Sequence, residues 1–267
     1  MVAQLQRALV ALWPEAALLN HSCAPNTASV ALEGRLLVRA SRPAAKQAEL
    51  TASYLAGPLL LAPLRRRQDA LRDARGFACR CIRCRDEARQ DPNLLQLVDD
   101  VIDACGALEA DLADAVMSGR ERGVASIRDQ LAAFIEVLDA AFNKLAVAQK
   151  SQVYVQASLF RLYELAALAT AAAGEEQPRL LELLAALAGE VAPGSEEHVY
   201  WARRYRTLIE ESEGDDGRFD GSLRHADAAC YAAHVARYGH ASRPLYRRLM
   251  QAAELAEAGS DDEWEGA

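Results

Sequence analysis

Cys79, Cys81 and Cys84 fall within six residues of one another in the stretch FACRCIRC, Phe77–Cys84, and this crowding restricts the local fold more than any other feature. A disulfide needs Cβ atoms about 3.8 Å apart with a dihedral near ~90°, a geometry that such short loops resist. The start of the chain, MVAQLQRALVALWPEA, has one early Arg and then a Pro without a clear cleavage site, and it reads as neither a signal peptide nor a transit peptide. Reduced thiols at this spacing point to metal ligation, and tetrahedral structural zinc asks for a fourth ligand. Cys23, Cys105 and Cys230 are the remaining candidates.

Two textures divide the chain near Asp91–Pro92. Before the break the sequence is irregular. ASVAL and RLLVRA flank Glu33-Gly34 and predict a β-hairpin, Ala28–Leu32 with Arg35–Ala40. ELTASYL reads as a further short strand, and LLAPLRRRQDALRDARG as a basic helix ending at Gly76. After the break the pattern is helical. Asp91 can cap and Pro92 suits the first helical position. Leu94, Val98, Val101, Cys105, Leu108, Leu112 and Val116 then draw one apolar stripe. Further helices are expected at Arg122–Leu138, Gln149–Ala173, Pro178–Glu190, Glu196–Glu211, Leu223–Tyr238 and Arg243–Ala256. Gly174, Pro193-Gly194, the EGDDG stretch and Gly239 act as separators. Short turns between paired helices suggest a tetratricopeptide-like array, though no strict repeat is visible. Hydrophobic residues make up 51% of the chain but aromatics only 6%, so the core must be Leu/Ala/Val packing between helices.

Charge follows the same division. Residues 1–90 hold 14 Lys and Arg against 7 Asp and Glu, while the remainder holds 16 against 31, within a net charge of −8. The first part is basic and the rest acidic, as expected of two units with different surfaces. Most such imbalances are solvated surface, so nucleic acid is not an expected partner, and Arg65–Arg67 reads as a solvated helix face. No apolar run approaches the roughly 18 residues of a membrane span.

LLNHSCAPN, then ELTASYL, then FACRCIRC resembles the second half of a SET domain with its post-SET cysteine cluster. The helical remainder makes the chain most similar to the SET-and-MYND (SMYD) type of protein lysine methyltransferase. The resemblance implies an α+β, predominantly α protein. A partial SET domain (1–76) and a post-SET zinc-binding segment (77–90) would precede a helical, tetratricopeptide-like domain (91–258) and a disordered acidic tail (259–267). It implies S-adenosylmethionine as methyl donor, bound by Asn20, by His21 largely through its backbone, by Tyr54 and by Phe77 packed on the adenine. Tyr54 would be the catalytic tyrosine. Cys23 is the expected fourth zinc ligand, because it belongs to the motif and lies in an irregular loop, whereas Cys105 and Cys230 sit in helices. Pro25 and Asn26 would turn the chain into the hairpin.

Arg80, Arg83 and Arg85, interleaved with the cysteines, are expected to neutralise part of the −2 charge of a zinc tetrathiolate. His198, His225, His234 and His240 show no ligand spacing. A RING or ribbon module fails on spacing, since no second Cys/His pair is present. The chain departs from the family in two ways. The acidic-glycine lead-in to the tyrosine motif reads KQAELTASY, with Gln47 and Ala48 in place of Gly and Glu. The family's glycine-rich cofactor segment does not fit in the 19 residues before Asn20, so the chain reads as an N-terminally truncated SET domain. The expected function is lysine N-methylation of a histone tail or a non-histone protein, in the nucleus or the cytoplasm. The alternative is a non-catalytic, zinc-stabilised adaptor whose acidic helices take basic peptides.

Overall fold

The computed structural model describes residues 12–32, 34–145, 149–212, 221–240 and 242–251. The expected tail at 259–267, the EGDDG separator and the last part of the helix predicted to reach Ala256 lie outside them.

The N-terminal third is built from short pieces. A 3-10 turn, Ala16–Leu18, leads into β1, Asn20–His21, and then into the hairpin of β2, Thr27–Leu32, and β3, Arg35–Ala40. The hairpin is antiparallel and in register from Thr27 opposite Ala40 to Leu32 opposite Arg35. β4, Thr51–Ala52, pairs with β1 in parallel. The predicted ELTASYL strand is thus only two residues long, because its start is held by side chains of the loop after β1 rather than by a strand. α1, Gly57–Leu60, α2, Leu64–Arg75, and α3, Ile82–Glu87, complete this part. α2 ends on Gly76 at φ +73°, a left-handed cap that returns the chain towards the cysteines.

The remainder is helical: α4, Pro92–Met117; α5, Glu121–Lys144; α6, Gln149–Ala157; α7, Phe160–Ala172; α8, Pro178–Val191; α9, Glu196–Ser212; α10, Gly221–Tyr238; residues 243–251 are also helical. Asp91 caps α4 by accepting from the Asn93 and Leu94 amides. α4 and α5 pack on each other and on α7, α7 on α8, α8 on α9, and α9 on α10. The core is Leu, Ala and Val, with Leu131, Leu138, Leu162, Leu184 and Ala202 fully enclosed.

Two expectations fail here. The stripe on α4 does not reach Val116, which is 48% exposed while Ala115 turns inward. Two successive steps of four, Leu108 to Leu112 and Leu112 to Val116, each overshoot a 3.6-residue turn by about 40° and carry Val116 off the face. The helix predicted over Gln149–Ala173 is broken between Ala157 and Phe160, and Ser158 stands in the breach.

Part of the contrast between a basic third and an acidic remainder is satisfied inside the molecule. Just after β3, the Arg42 guanidinium donates to the carbonyls of Glu190 and Val191 at the C-terminus of α8, where a cation suits the exposed carbonyl dipoles. The Arg39 guanidinium lies where a side chain at Gly239, φ +84°, would stand. Arg65 bonds Asp99 at 3.0 Å and Arg66 bonds Asp103, both on α4. Arg67 is completely buried. Arg65 and Arg66 keep much of the exposure expected of that run, and the expectation of a solvated face fails at Arg67. The run follows the apolar spacing Leu64, Arg67, Leu71 and stitches α2 onto the helices.

The histidines hold no metal-like arrangement. His198 accepts from the Gly194 amide at 3.0 Å, and burial pushes it down to about 4. His234 is lowered by burial, and His225 meets Glu182 on the surface. No described helix is long and apolar enough to cross a membrane.

Candidate functional site

The loop from Asn20 to Asn26 sits at the centre. Backbone pairing aligns Asn20 with Thr51 and His21 with Ala52, and the Ser22 amide continues the ladder to the Ala52 carbonyl at 2.9 Å. Asn26 then does more than turn the chain. Its carbonyl oxygen accepts from the Thr51 amide at 2.7 Å, and its amide group donates to the Glu49 carbonyl at 2.8 Å. This side chain replaces a missing strand partner, which is why β4 is ordered despite its length.

On this frame Tyr54 comes to rest beside His21. The Tyr54 amide donates to His21 Nδ1 at 2.9 Å, and the phenol donates to the Leu19 carbonyl at 2.6 Å. An Nδ1 that accepts is unprotonated, so a neutral imidazole carries its hydrogen on Nε2, which faces Cys23 Sγ at 3.3 Å. Phe77 closes the group, its ring centroid 6.0 Å from His21 and 6.4 Å, edge-on, from Tyr54. Tyr54 is 38% exposed, with the Arg75 guanidinium 5.5 Å from its ring centroid. Asn20 is exposed and held by Glu49 at 2.6 Å. A depression lined by His21, Ser22, Glu49, Thr51, Phe77 and Arg80 opens between the rings and the cysteines.

Cys23, Cys79, Cys81 and Cys84 converge, with all four sulfurs within 4.8 Å of one another. Bonds of about 2.3 Å in a tetrahedral zinc thiolate site place sulfurs about 3.8 Å apart, so the set fits that ion after a small contraction. Among the described residues no other group of three or more Cys, His, Asp or Glu converges in this way. Cys105 and Cys230 lie fully buried elsewhere, where burial pushes each thiol up to about 11. As free thiols the cluster shares its protons unevenly. Cys23 is raised by the bond it makes to Cys79, Cys79 is lowered by the same bond, and Cys81 is pushed down to about 5, first by Cys23.

The elements explain the convergence. Cys81 caps α3 and Cys84 lies one turn inside it, while the Cys81 amide donates to Cys79 Sγ at 3.4 Å. Gln68 of α2 grips Cys79 with both ends of its amide, each at 2.8 Å, donating to the carbonyl and accepting from the N–H. Of the three arginines expected to offset the cluster, Arg80 and Arg85 are exposed and only Arg83 is enclosed. The second enclosed cation is Arg67, whose guanidinium lies 3.9 Å from Cys84 Sγ. Gln68 and Glu87 were not singled out from sequence, and Arg67 entered only as part of a solvated helix face. The readable signals were a charge at an apolar-stripe position of α2 and the i,i+4 spacing of Arg83 and Glu87.

Gln47, which stands where the family lead-in has glycine, has φ +68°. It is the third residue of a turn closed by the Ala48 amide on the Ala45 carbonyl at 3.0 Å, and that position of a type II turn favours Gly. A left-handed non-glycine residue costs about 1–2 kcal/mol. Part of the gain on Gln47→Gly is returned through a freer unfolded chain. The expected net stabilisation is about 0.5–1 kcal/mol, read as a higher denaturant midpoint with an unchanged slope.

Comparison with known proteins agrees with this geometry. The SET domain family model matches residues 5–55. The chain is 44% identical over 85 residues to the mouse histone-lysine N-methyltransferase SMYD3, covering 32% of this chain and 19% of that protein. It is 38% identical over 77 residues to the Arabidopsis thaliana histone-lysine N-methyltransferase ASHR1 (28% and 15%), and 35% over 103 residues to the human N-lysine methyltransferase SMYD2 (34% and 23%). The chain thus spans about a fifth of the length of the curated relatives it matches. The loop that gives one sulfur to the cysteine cluster while seating Tyr54 thus lies in a segment that the SET domain model matches, and over part of its length the chain is similar to SMYD methyltransferases.

Proposed function

We propose that this chain is the zinc-stabilised part of an S-adenosylmethionine-dependent protein lysine N-methyltransferase, with Tyr54 as the catalytic residue. The observation that carries the reading is the seat of Tyr54, whose phenol is bonded to Leu19 and whose amide is bonded to His21, on the loop that supplies Cys23.

The phenol's proton is committed to the Leu19 carbonyl, so its oxygen offers lone pairs to whatever enters beside it. An acceptor there can orient a lysine amine and stabilise a methyl group that gains positive character in the transition state. A lysine must be neutral to attack, and the apolar faces of Phe77 and Tyr54 disfavour its charged form. S-adenosylmethionine, when bound, supplies that methyl group on a sulfonium. His21 and Phe77 border the depression in which it would lie, His21 with its ring already engaged, and Asn20 is exposed beside His21. Cys23, Cys79, Cys81 and Cys84 would hold a structural zinc ion, which takes no part in the chemistry. The substrate class is a protein lysine, on a histone tail or elsewhere, as the names of the relatives suggest.

The acidic balance of residues 91–267 favours one competing reading, an adaptor for basic peptides. Titrating S-adenosylmethionine into the zinc-loaded chain separates the two. We expect saturable binding, weakened about tenfold by Phe77→Ala. Tyr54→Phe should leave donor binding within about twofold and lower methyl transfer to lysine peptides by at least about 100-fold. Absence of donor binding would end the enzymatic reading of this chain, and indifference to Tyr54→Phe would favour the adaptor.

A further inference from the structure

Four polar side chains, Arg67, Arg83, Glu87 and Ser158, are at most 3% exposed, and methyl transfer has no use for them. Arg67 donates to Glu87, to the Ala62 carbonyl, to Ser158 Oγ at 3.3 Å and towards Cys84 Sγ at 3.9 Å. Arg83 donates to Glu87 at 2.8 Å, to the Leu60 carbonyl at 2.8 Å, to Ser158 Oγ at 3.1 Å and to the Cys23 carbonyl at 3.4 Å. Ser158 stands in the breach between α6 and α7, far down the chain from every cysteine of the cluster. Its oxygen accepts one bond from each guanidinium, filling both lone pairs, and its one hydrogen can reach Glu87 at 3.2 Å.

We infer that these four side chains form an outer hydrogen-bonded layer of the metal centre, through which the helical lobe controls how firmly the metal is held. The inference rests on the zinc reading of the cysteine cluster. Two guanidinium ions and one carboxylate leave a net charge of +1 in an enclosed space, and a zinc tetrathiolate of charge −2 lies against it. Each therefore compensates part of the other. Arg67 touches the sulfur of one ligand and Arg83 the backbone of another, so both the sequence-local and the remote part of the ligand set are engaged. Ser158 fixes the two planes relative to each other.

The test is zinc release from the full chain into excess chelator, followed with a chromogenic zinc indicator. Removal of outer partners of metal ligands typically costs about 10–100-fold in affinity. Ser158→Ala, one step further out, is expected to speed release about 5–10-fold. Thr170→Ala is the control. Thr170 is also buried in the helical lobe but bonds only within its own helix, to the Ala167 carbonyl at 2.9 Å. It should release zinc at the wild-type rate. If the Ser158 and Thr170 variants release zinc within about twofold of each other, the inference is overturned, since general loosening would then explain both. A wild-type chain that purifies without zinc, and takes up none, would overturn the zinc reading and the inference with it.

Discussion

Cys23→Ser is expected to empty the metal site and unfold the N-terminal third as a unit. Cys23 is the one candidate ligand from outside FACRCIRC, so it alone closes the chain between the SET loop and α3. A serine hydroxyl is a far poorer ligand for zinc than a thiolate, and in small metal-stabilised units the binding free energy is folding free energy. The loss should be at least about 3 kcal/mol. It should reach Tyr54 as well, because Leu19 and His21, which hold its phenol and its amide, lie on the same loop. Zinc per chain should fall well below one, and donor binding should disappear with it. Retention of one zinc per chain at the wild-type melting temperature would contradict this.

Glu87→Gln should be nearly as damaging, although it changes one atom and no volume. The carboxylate accepts from Arg67 and Arg83, both with 0% side-chain exposure. An amide keeps one acceptor oxygen, turns the other position into a donor aimed at a cation, and removes the only negative side chain in the group. Breaking a buried ion pair in this way typically costs about 3–5 kcal/mol, because the orphaned charge stays enclosed. For a protein of this size that corresponds to a fall in melting temperature of roughly 6–20 °C. The surface pairs of Arg128 with Asp129 and of Arg72 with Asp69 offer the contrast, since exposed pairs contribute about 0–1 kcal/mol each. A melting temperature within about 2 °C of wild type for Glu87→Gln would remove the network from any structural role.

How far the sequence could be read depends on whether a residue's role is local. The cap at Asp91, the left-handed Gly76 and the hairpin around residues 33–34 are decided by neighbours a few positions away, and they were legible. So was the convergence of Cys23 with the three later cysteines, because Cys23 lies in an irregular loop and belongs to the motif, whereas Cys105 and Cys230 sit in helices. Asn26 was legible only as a turn residue, since its amide acts as a strand partner to Glu49 and Thr51, and that depends on tertiary placement. The break at Ser158 was invisible because no Gly or Pro marks it, and the bonds that Ser158 makes there run to two arginines distant in sequence. Arg67 was misread for the opposite reason. In a run of three arginines the solvent is the usual destination, and the stripe position it shares with Leu64 and Leu71 outweighs that habit.

The most direct measurement is X-ray absorption at the zinc edge, on the purified chain and on Cys23→Ser. Four sulfur neighbours at about 2.3 Å, reduced to three sulfurs with a lighter neighbour or to no bound metal in the variant, is the expected result. An unchanged four-sulfur shell in Cys23→Ser, or a wild-type shell of mixed nitrogen and oxygen, would mean that the loop seating Tyr54 is not anchored to the metal.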